Sequence, residues 1–371
     1  MIRARDLGLP FEGVPGPHNT ITDVTSTMVG HTTMISGSGP LVPGRGPVRT
    51  GVTAILPRGR TPDPVFAAWY ALNGNGEMTG TSWLEESGFL GGPVTITNTH
   101  SVGVVRDAVV RWIVREGFAG GEPAQNVWVL PVVAETYDGY LNDINGFHVT
   151  AEHTEQALNQ AAAGVVAEGN VGGGTGMICH AFKGGIGTSS RVIYPDNGRP
   201  GDNQSYTLGV LVQANHGRRA RLTIAGVPVG QEIPDLMPFD PSKQKFPDEG
   251  GGSIIVVVAT DAPLLPHQLK RLARRVPLGI GLVGGLGEHR SGDIFLAYST
   301  ANPGAAGNRT QSLTMLANEA MNPLFEATVQ ATEEAIINAL VAAETMEGIN
   351  GRVVQALPHG RLQEIMRQYN R

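Results

Sequence analysis

One step in this 371-residue chain brings together residue types that can do chemistry unaided. At 250–253 three glycines run into a serine. Glycine has no Cβ, so the backbone there can take angles that other residues avoid, and nothing crowds the Gly252 carbonyl. Attack of the Ser253 hydroxyl on that carbonyl would turn the amide into an ester, and water would then release a new N-terminus. The freed Ser253 would carry both a hydroxyl and an α-amine with a reference pKa of about 7.7–8.0. It would be a nucleophile with its own general base. The bland alternative is a glycine-rich turn that feeds a strand, with Ser253 as an ordinary first residue. Spacing alone leaves both open. Other Gly-Ser and Gly-Thr steps stand at 37–38, 80–81 and 187–188, but none joins an exposed approach to a long aliphatic run.

The elements that must hold Ser253 are legible on either side of it. Residues 231–252 are rich in Pro, Lys, Asp and Gly and read as an exposed, mobile segment. Residues 254–259, IIVVVA, follow at once as an unalternated run, the pattern of a central strand buried on both faces. Further strands are expected at 52–56, 94–97, 127–133, 208–213, 221–224 (extended by 227–229) and 293–298. One helix carries Val105, Val109, Trp112 and Ile113 on one side and is closed by Gly117. Another covers 150–163, and a third opens at Leu265 or Pro266 and stops before Pro277. The last takes Asn322 as N-cap and Pro323 as first helical residue and runs toward Gly348. No linker splits the chain, so 1–371 reads as one domain with a processing loop inside it. Mixed strands with helices on the outer faces point to an α/β sandwich.

Composition narrows the function. Residues are 41% hydrophobic and only 16% charged, which excludes a disordered chain. Net charge is −6 with no basic block, so nucleic acid is a poor partner. Lys270, Arg271, Arg274 and Arg275 read as the solvated face of a helix whose other side carries Leu265, Leu269, Leu272 and Val276. No stretch reaches the roughly 18 apolar residues of a membrane span, and the start of the sequence lacks a signal-peptide pattern. A soluble, cytoplasmic protein without membrane partners is expected. The single Cys179 excludes an internal disulfide and any cysteine-based zinc site, and reads as a buried, inert thiol. The ten histidines form no HxH or HExxH pair, so no metal is expected, and His100, His180, His216 and His289 read as structural. Gly279, Gly281 and Gly284 fit GxGxxG but follow a helix rather than a strand, so no dinucleotide or other cofactor is expected. Lys183, in a glycine-rich loop, reads as a packing residue rather than an anion site.

Longer motifs then settle what the local chemistry leaves open. They include ITDVTSTMVGHTT at 21–33, NGNGEMTGTSWLEESG at 73–88, PVTITNTHSVG at 93–103 and PVVAETYDGYLNDING at 131–146. GTGMICHAFKGGIGTSSR at 174–191, VLVQANHG at 210–217, GGGSIIVVVATDAPL at 250–264 and HRSGDIFLAYSTAN at 289–302 follow in order. With these the chain resembles the L-aminopeptidase D-Ala-esterase/amidase family, which includes the β-peptidyl aminopeptidases, nearly end to end. The resemblance implies a four-layer α/β/β/α sandwich, similar to N-terminal-nucleophile hydrolases but differently connected. It implies self-cleavage between Gly252 and Ser253 into an α chain, 1–252, and a β chain, 253–371, and assembly as a homo-oligomer, a tetramer of αβ units. The implied substrates are short peptides, amino-acid amides or esters with L-α, D-α or β N-terminal residues.

Residue by residue, the resemblance makes Ser253 the nucleophile, with Ser291 and Asp293 as a second serine and its acidic partner. Some members have Glu at the place of Asp293. Asn215 is implied as the oxyanion donor and Glu135 as the group that binds the substrate ammonium. Tyr140 is implied near the oxyanion, with Tyr137 competing for that place, and Trp83 is expected to help shape the pocket. The alternative is a self-cleaving acyltransferase of the ornithine acetyltransferase type, which uses an N-terminal threonine.

Overall fold

The computed structural model describes residues 2–117, 128–194, 205–241, 252–307 and 309–371. Two sheets lie face to face. The larger runs in the order Phe89–Leu90, Val65–Gly74, Gly292–Ser299, Ser253–Thr260, Tyr206–Asn215, Gly185–Ile193. The smaller runs Met28–Ser36, Val48–Leu56, Val94–Asn98, Val132–Thr136. Between them Ile55, Ile96 and Ala134 meet Leu211, Ile255, Val257 and Leu296. Helices Val102–Arg115 and Ala151–Asn159 cover the outer face of the smaller sheet. Helices Pro266–Ala273 and Asn322–Ala342 cover the outer face of the larger one. This is the expected four-layer α/β/β/α sandwich.

The layering explains the unalternated strand. Side chains alternate across a strand, and here both faces are apolar. Ile254, Val256 and Val258 enter the core under the outer helices, while Ile255, Val257 and Ala259 enter the core between the sheets. All eight residues of Ser253–Thr260 are buried. The long Asn322–Ala342 helix lies directly on the Gly185–Ile193 strand because Gly187 has no side chain. A Cβ there would stand 2.0 Å from the Ala335 carbonyl oxygen.

Several local expectations are corrected. Residues 221–224 and 227–229 are not a strand: Arg219–Arg221 is a 3-10 turn, Val229–Glu232 a short helix, and only one isolated bridge joins Ile224 to Val227. Their apolar side chains are buried by packing, not by sheet pairing. The strand expected at 127–133 is Val132–Thr136, and residue 127 lies outside the described residues. The 150–163 helix ends at Asn159. The helix expected to stop before Pro277 does so, at Ala273, but Pro277 then stands in the first turn of an unanticipated second helix, Val276–Leu282, which contains Gly279 and Gly281. The last long helix takes Met321 as N-cap and ends at Ala342, well before Gly348. Within the segment expected to be exposed and mobile, Ile233 and Asp240 are buried, while 242–251 lie outside the described residues.

Gly187→Ala is expected to destabilise the fold by about 1–3 kcal/mol, as overpacking of a filled interior does. Gly360→Ala is the control. It lies in the His359–Gln368 helix with open space around the added methyl, and its urea midpoint should stay or rise. Equal midpoints for both variants would refute the close helix–sheet contact.

Candidate active site

Ser253 is the first residue of its strand, and the register on both sides decides what it meets. It pairs with Asn215 across the antiparallel neighbour and with Gly292 across the parallel one. The Gly292 amide donates to Ser253 Oγ at 3.1 Å. Gly252 needs to be glycine for a reason the sequence does not show: a Cβ there would lie 2.3 Å from the Asn215 carbonyl oxygen and 3.0 Å from His216 Cα. The chain therefore passes tightly against the Asn215–His216 backbone just before the nucleophile candidate.

Asn215 is fixed at both ends of its amide. Its Oδ1 accepts from the Ile178 amide at 2.8 Å, and its Nδ2 donates to the Tyr137 carbonyl at 3.0 Å. Donor and acceptor partners of opposite type set the flip of the amide. They leave the second Nδ2 hydrogen for an oxygen in the cavity. Ser291 Oγ donates to Asp293 Oδ1 at 2.5 Å, so the contact left open by the shorter acid is made. Burial raises the Asp293 pKa, and the Ser291 hydrogen bond pulls it back. Both residues are buried on either side of Gly292.

A cavity of about 640 Å³ opens over Ser253, and Asn215, Glu135, Tyr137 and Tyr140 line it as well. Glu135 stands near the end of Val132–Thr136 and is 3% exposed. Its carboxylate accepts from the Glu77 amide at 2.9 Å and from the Thr99 hydroxyl. Burial raises its pKa, with the Thr99 and Glu77 hydrogen bonds opposing. No cation pairs with it among the described residues, so an arriving ammonium would find a poorly solvated carboxylate, the setting in which such a bond is strong.

The two tyrosines separate. Tyr140 Oη is buried without a hydrogen-bond partner, and burial pushes its phenol up to about 12. It therefore keeps its proton and can donate it to an oxyanion. Tyr137 is 53% exposed and its visible contribution is its carbonyl, which holds Asn215.

Other expectations shift. Trp83 is not on this cavity. It packs against Trp128, ring centres 5.4 Å apart, at a separate cavity of about 370 Å³. Lys183 is buried and donates to the carbonyls of Met177 at 2.8 Å and Gly184 at 2.7 Å, so it packs the loop and binds no anion. Thr99, the Glu77 amide, the Gly292 amide and the Ile178 amide all touch proposed site groups and escape sequence reasoning. Three of them are backbone donors, which no residue type announces. Met237, Pro238 and Arg290 complete the rim.

Comparison with known proteins shows the family of the whole chain. The profile described as peptidase family S58 matches residues 19–354. A β-peptidyl aminopeptidase of Sphingosinicella microcystinivorans is 54% identical, over 100% of this chain and 93% of the relative. The L-aminopeptidase D-Ala-esterase/amidase of Ochrobactrum anthropi superposes with a TM-score of 0.89 at 50% identity, covering 100% of this chain and 99% of that one. That structure is described as a prototype of the serine aminopeptidases and a new variant of the N-terminal-nucleophile hydrolase fold. A Burkholderia β-aminopeptidase superposes with a TM-score of 0.86 at 47% identity, covering 99% of each chain.

Two measurements test the geometry. If Glu135 holds an ammonium, it must be ionised to do so, and its raised pKa moves the acid limit of binding above the ordinary glutamate value of 4.5. The inhibition constant of a small amino alcohol should worsen as pH falls through that raised value. In Glu135→Gln this acid limb should vanish and affinity should fall about 10-fold or more. An unchanged profile would remove Glu135 from the amine site. Tyr140→Phe should lower kcat about 10²–10³-fold, the loss typical of one oxyanion donor, while Tyr137→Phe costs far less. The reverse order would assign the hydroxyl to Tyr137.

Proposed function

The chain belongs to peptidase family S58, and from that premise we propose that it cleaves itself between Gly252 and Ser253 and then acts as an N-terminal-serine aminopeptidase and amidase. The observation that carries this reading is the convergence of Ser253, Asn215 and Glu135 on one cavity, with the nucleophile at the start of a rigid, buried strand. The first product is an α chain of residues 1–252 and a β chain of 253–371.

Once free, the Ser253 α-amine takes the proton of its own hydroxyl, and Oγ attacks the carbonyl of the substrate's first residue. Glu135 holds that residue's ammonium, so a blocked N-terminus is excluded. The tetrahedral oxyanion accepts from Asn215 Nδ2 and the Tyr140 hydroxyl. The amine returns the proton to the leaving group, leaving an acyl-enzyme on Ser253, which water then hydrolyses by the same steps in reverse order. The Gly292 amide steadies Oγ throughout, and the Ser291–Asp293 pair braces the strand beside it. Two relatives carry β-aminopeptidase names, which supports small β-amino residues among the accepted first residues, beside L-α and D-α ones. The acyltransferase alternative is not favoured, because the nucleophile is serine and the matched relatives are aminopeptidases.

Purified wild-type protein should run as two fragments on a denaturing gel, and the smaller should begin Ser-Ile-Ile-Val. Ser253→Ala should give one intact chain without turnover of β-alanyl, L-alanyl or D-alanyl amides. An intact, fully active wild-type chain would sink the reading. Acetyl transfer to ornithine at a rate above amide hydrolysis would instead favour the acyltransferase.

A further inference from the structure

Directly behind the Asn215 wall lies a group of side chains that the proposed reaction does not use. Among the described residues, Cys179, His180 and His216 form the one cluster of three metal-ligating groups, and their ligand atoms all lie within 4.8 Å of one another. Linear spacing offers no such site, and the expectation that one cysteine excludes cysteine-based zinc does not count the two histidines that reach Cys179 only in the fold. The fold makes the site by setting the Ile178–Cys179 and Phe182–Lys183 hairpin against the end of Tyr206–Asn215, where the His180 amide donates to the His216 carbonyl at 2.7 Å. All three residues are at most 5% exposed.

The polarity of the cluster is unresolved from within. His216 Nδ1 faces Cys179 Sγ at 3.8 Å, while Nε2 of both His180 and His216 is buried without a hydrogen-bond partner. A buried polar atom left unpaired costs on the order of 1–3 kcal/mol, and two such atoms belong to the group that holds the thiol. His180 is already prepared as a ligand. Its Nδ1 lies 3.0 Å from the Arg218 carbonyl, an acceptor only, so the proton sits on Nδ1 and the lone pair on Nε2. A backbone carbonyl on the far nitrogen is the usual support of a metal-binding imidazole.

We propose that Cys179, His180 and His216 form a binding site for a thiophilic d¹⁰ cation, Zn²⁺ foremost, and that its occupation slows the enzyme through Asn215. One thiolate and two imidazoles suit zinc. Binding exchanges the Cys179 thiol proton, released to solvent, for the cation. The thiolate charge offsets part of the cation's charge beside Arg219, whose guanidinium is committed to backbone carbonyls of His180, Ala181 and Ile233. Tetrahedral zinc with bonds of about 2.0–2.3 Å needs ligand atoms roughly 3.3–3.8 Å apart. Ligand atoms that lie within 4.8 Å of one another would settle to that spacing on binding, and His216 is covalently next to Asn215 and packs close to Gly252. A displacement of about 1 Å at a positioning group can cost about 10²-fold in rate. The inhibitory half of the proposal rests on the aminopeptidase reading, while the binding half does not.

The test uses the processed protein freed of metal with EDTA. Titration with CdCl₂ should raise an ultraviolet thiolate-to-cadmium absorption that saturates at one ion per chain. With a single cysteine in the sequence, that band can come only from Cys179. ZnCl₂ should displace it, lower kcat for an amino-acyl p-nitroanilide at least about 10-fold, and be reversed by EDTA. Cys179→Ser should abolish the band and the inhibition, and His180→Gln should weaken cadmium binding at least about 10-fold. Absence of the band in the wild type would overturn the site, and so would full cadmium affinity in His180→Gln. Zinc inhibition that survives in Cys179→Ser would overturn the coupling. A band in a protein without peptidase activity would refute the proposed function and leave the site standing.

Discussion

The pairing of the Ser253–Thr260 strand with its two neighbours is the constraint on which the rest depends. A one-residue slip would turn every side chain to the opposite face. In this strand the hydrophobic pattern cannot forbid the slip, because both faces are aliphatic and both are buried. Polar pins at the two ends do so instead. At the far end Thr260 Oγ1 donates to the Thr207 carbonyl at 2.8 Å, and the Thr207 amide donates to Asp261 at 2.7 Å. At the near end the Gly292 amide meets Ser253 Oγ, and the bare Gly252 backbone fits against Asn215. Cross-strand register thereby becomes the distance between a nucleophile candidate and its proposed oxyanion donor.

The aliphatic run was legible because its information is local: six consecutive small hydrophobic residues after glycines admit few structures. The same locality misled at 221–229. Leu222, Ile224, Val227 and Val229 alternate as a strand would, yet they are buried by irregular turns beneath the larger sheet. Alternation records which side chains face an apolar neighbour, and a turn against a core can supply that as well as a ladder can. The helix that begins at Pro277's own turn was missed for a similar reason. A proline that would break a helix interior is equally at home in a first turn, and only tertiary packing decides that a new helix begins there.

Within the site, residue types were legible and their aim was not. Glu135 stands out as an acid beside an apolar run, but its orientation comes from Thr99 and the Glu77 amide, on separate segments. Asn215 is aimed by residues 37 and 78 positions away. Only the family resemblance, carried by long motifs in order, stood in for that missing geometry. Trp83, expected to shape the pocket, packs against Trp128 instead.

The Ile178–Lys183 hairpin shows how such aim is kept. At its tip His180 and Ala181 both take positive φ, 48° and 59°, a conformation that costs non-glycine residues energy. Two buried cations offset that cost. Arg219 donates to the carbonyls of His180 at 3.0 Å and Ala181 at 2.7 Å and stacks on the Phe182 ring. Lys183 ties the carbonyls of Met177 and Gly184 from the other side. Burial pulls the Lys183 pKa down to about 7, so this lysine can hold its carbonyls without keeping a full charge in the core. The hairpin is thus clamped through its backbone, which holds the Ile178 amide where it fixes Asn215. The proposed sequence of action, first on its own chain and then on substrate, needs a donor that would stay in place if the Gly252–Ser253 bond were cut. Asn215 suits that need because its anchors, Ile178 and Tyr137, lie on segments remote from that bond.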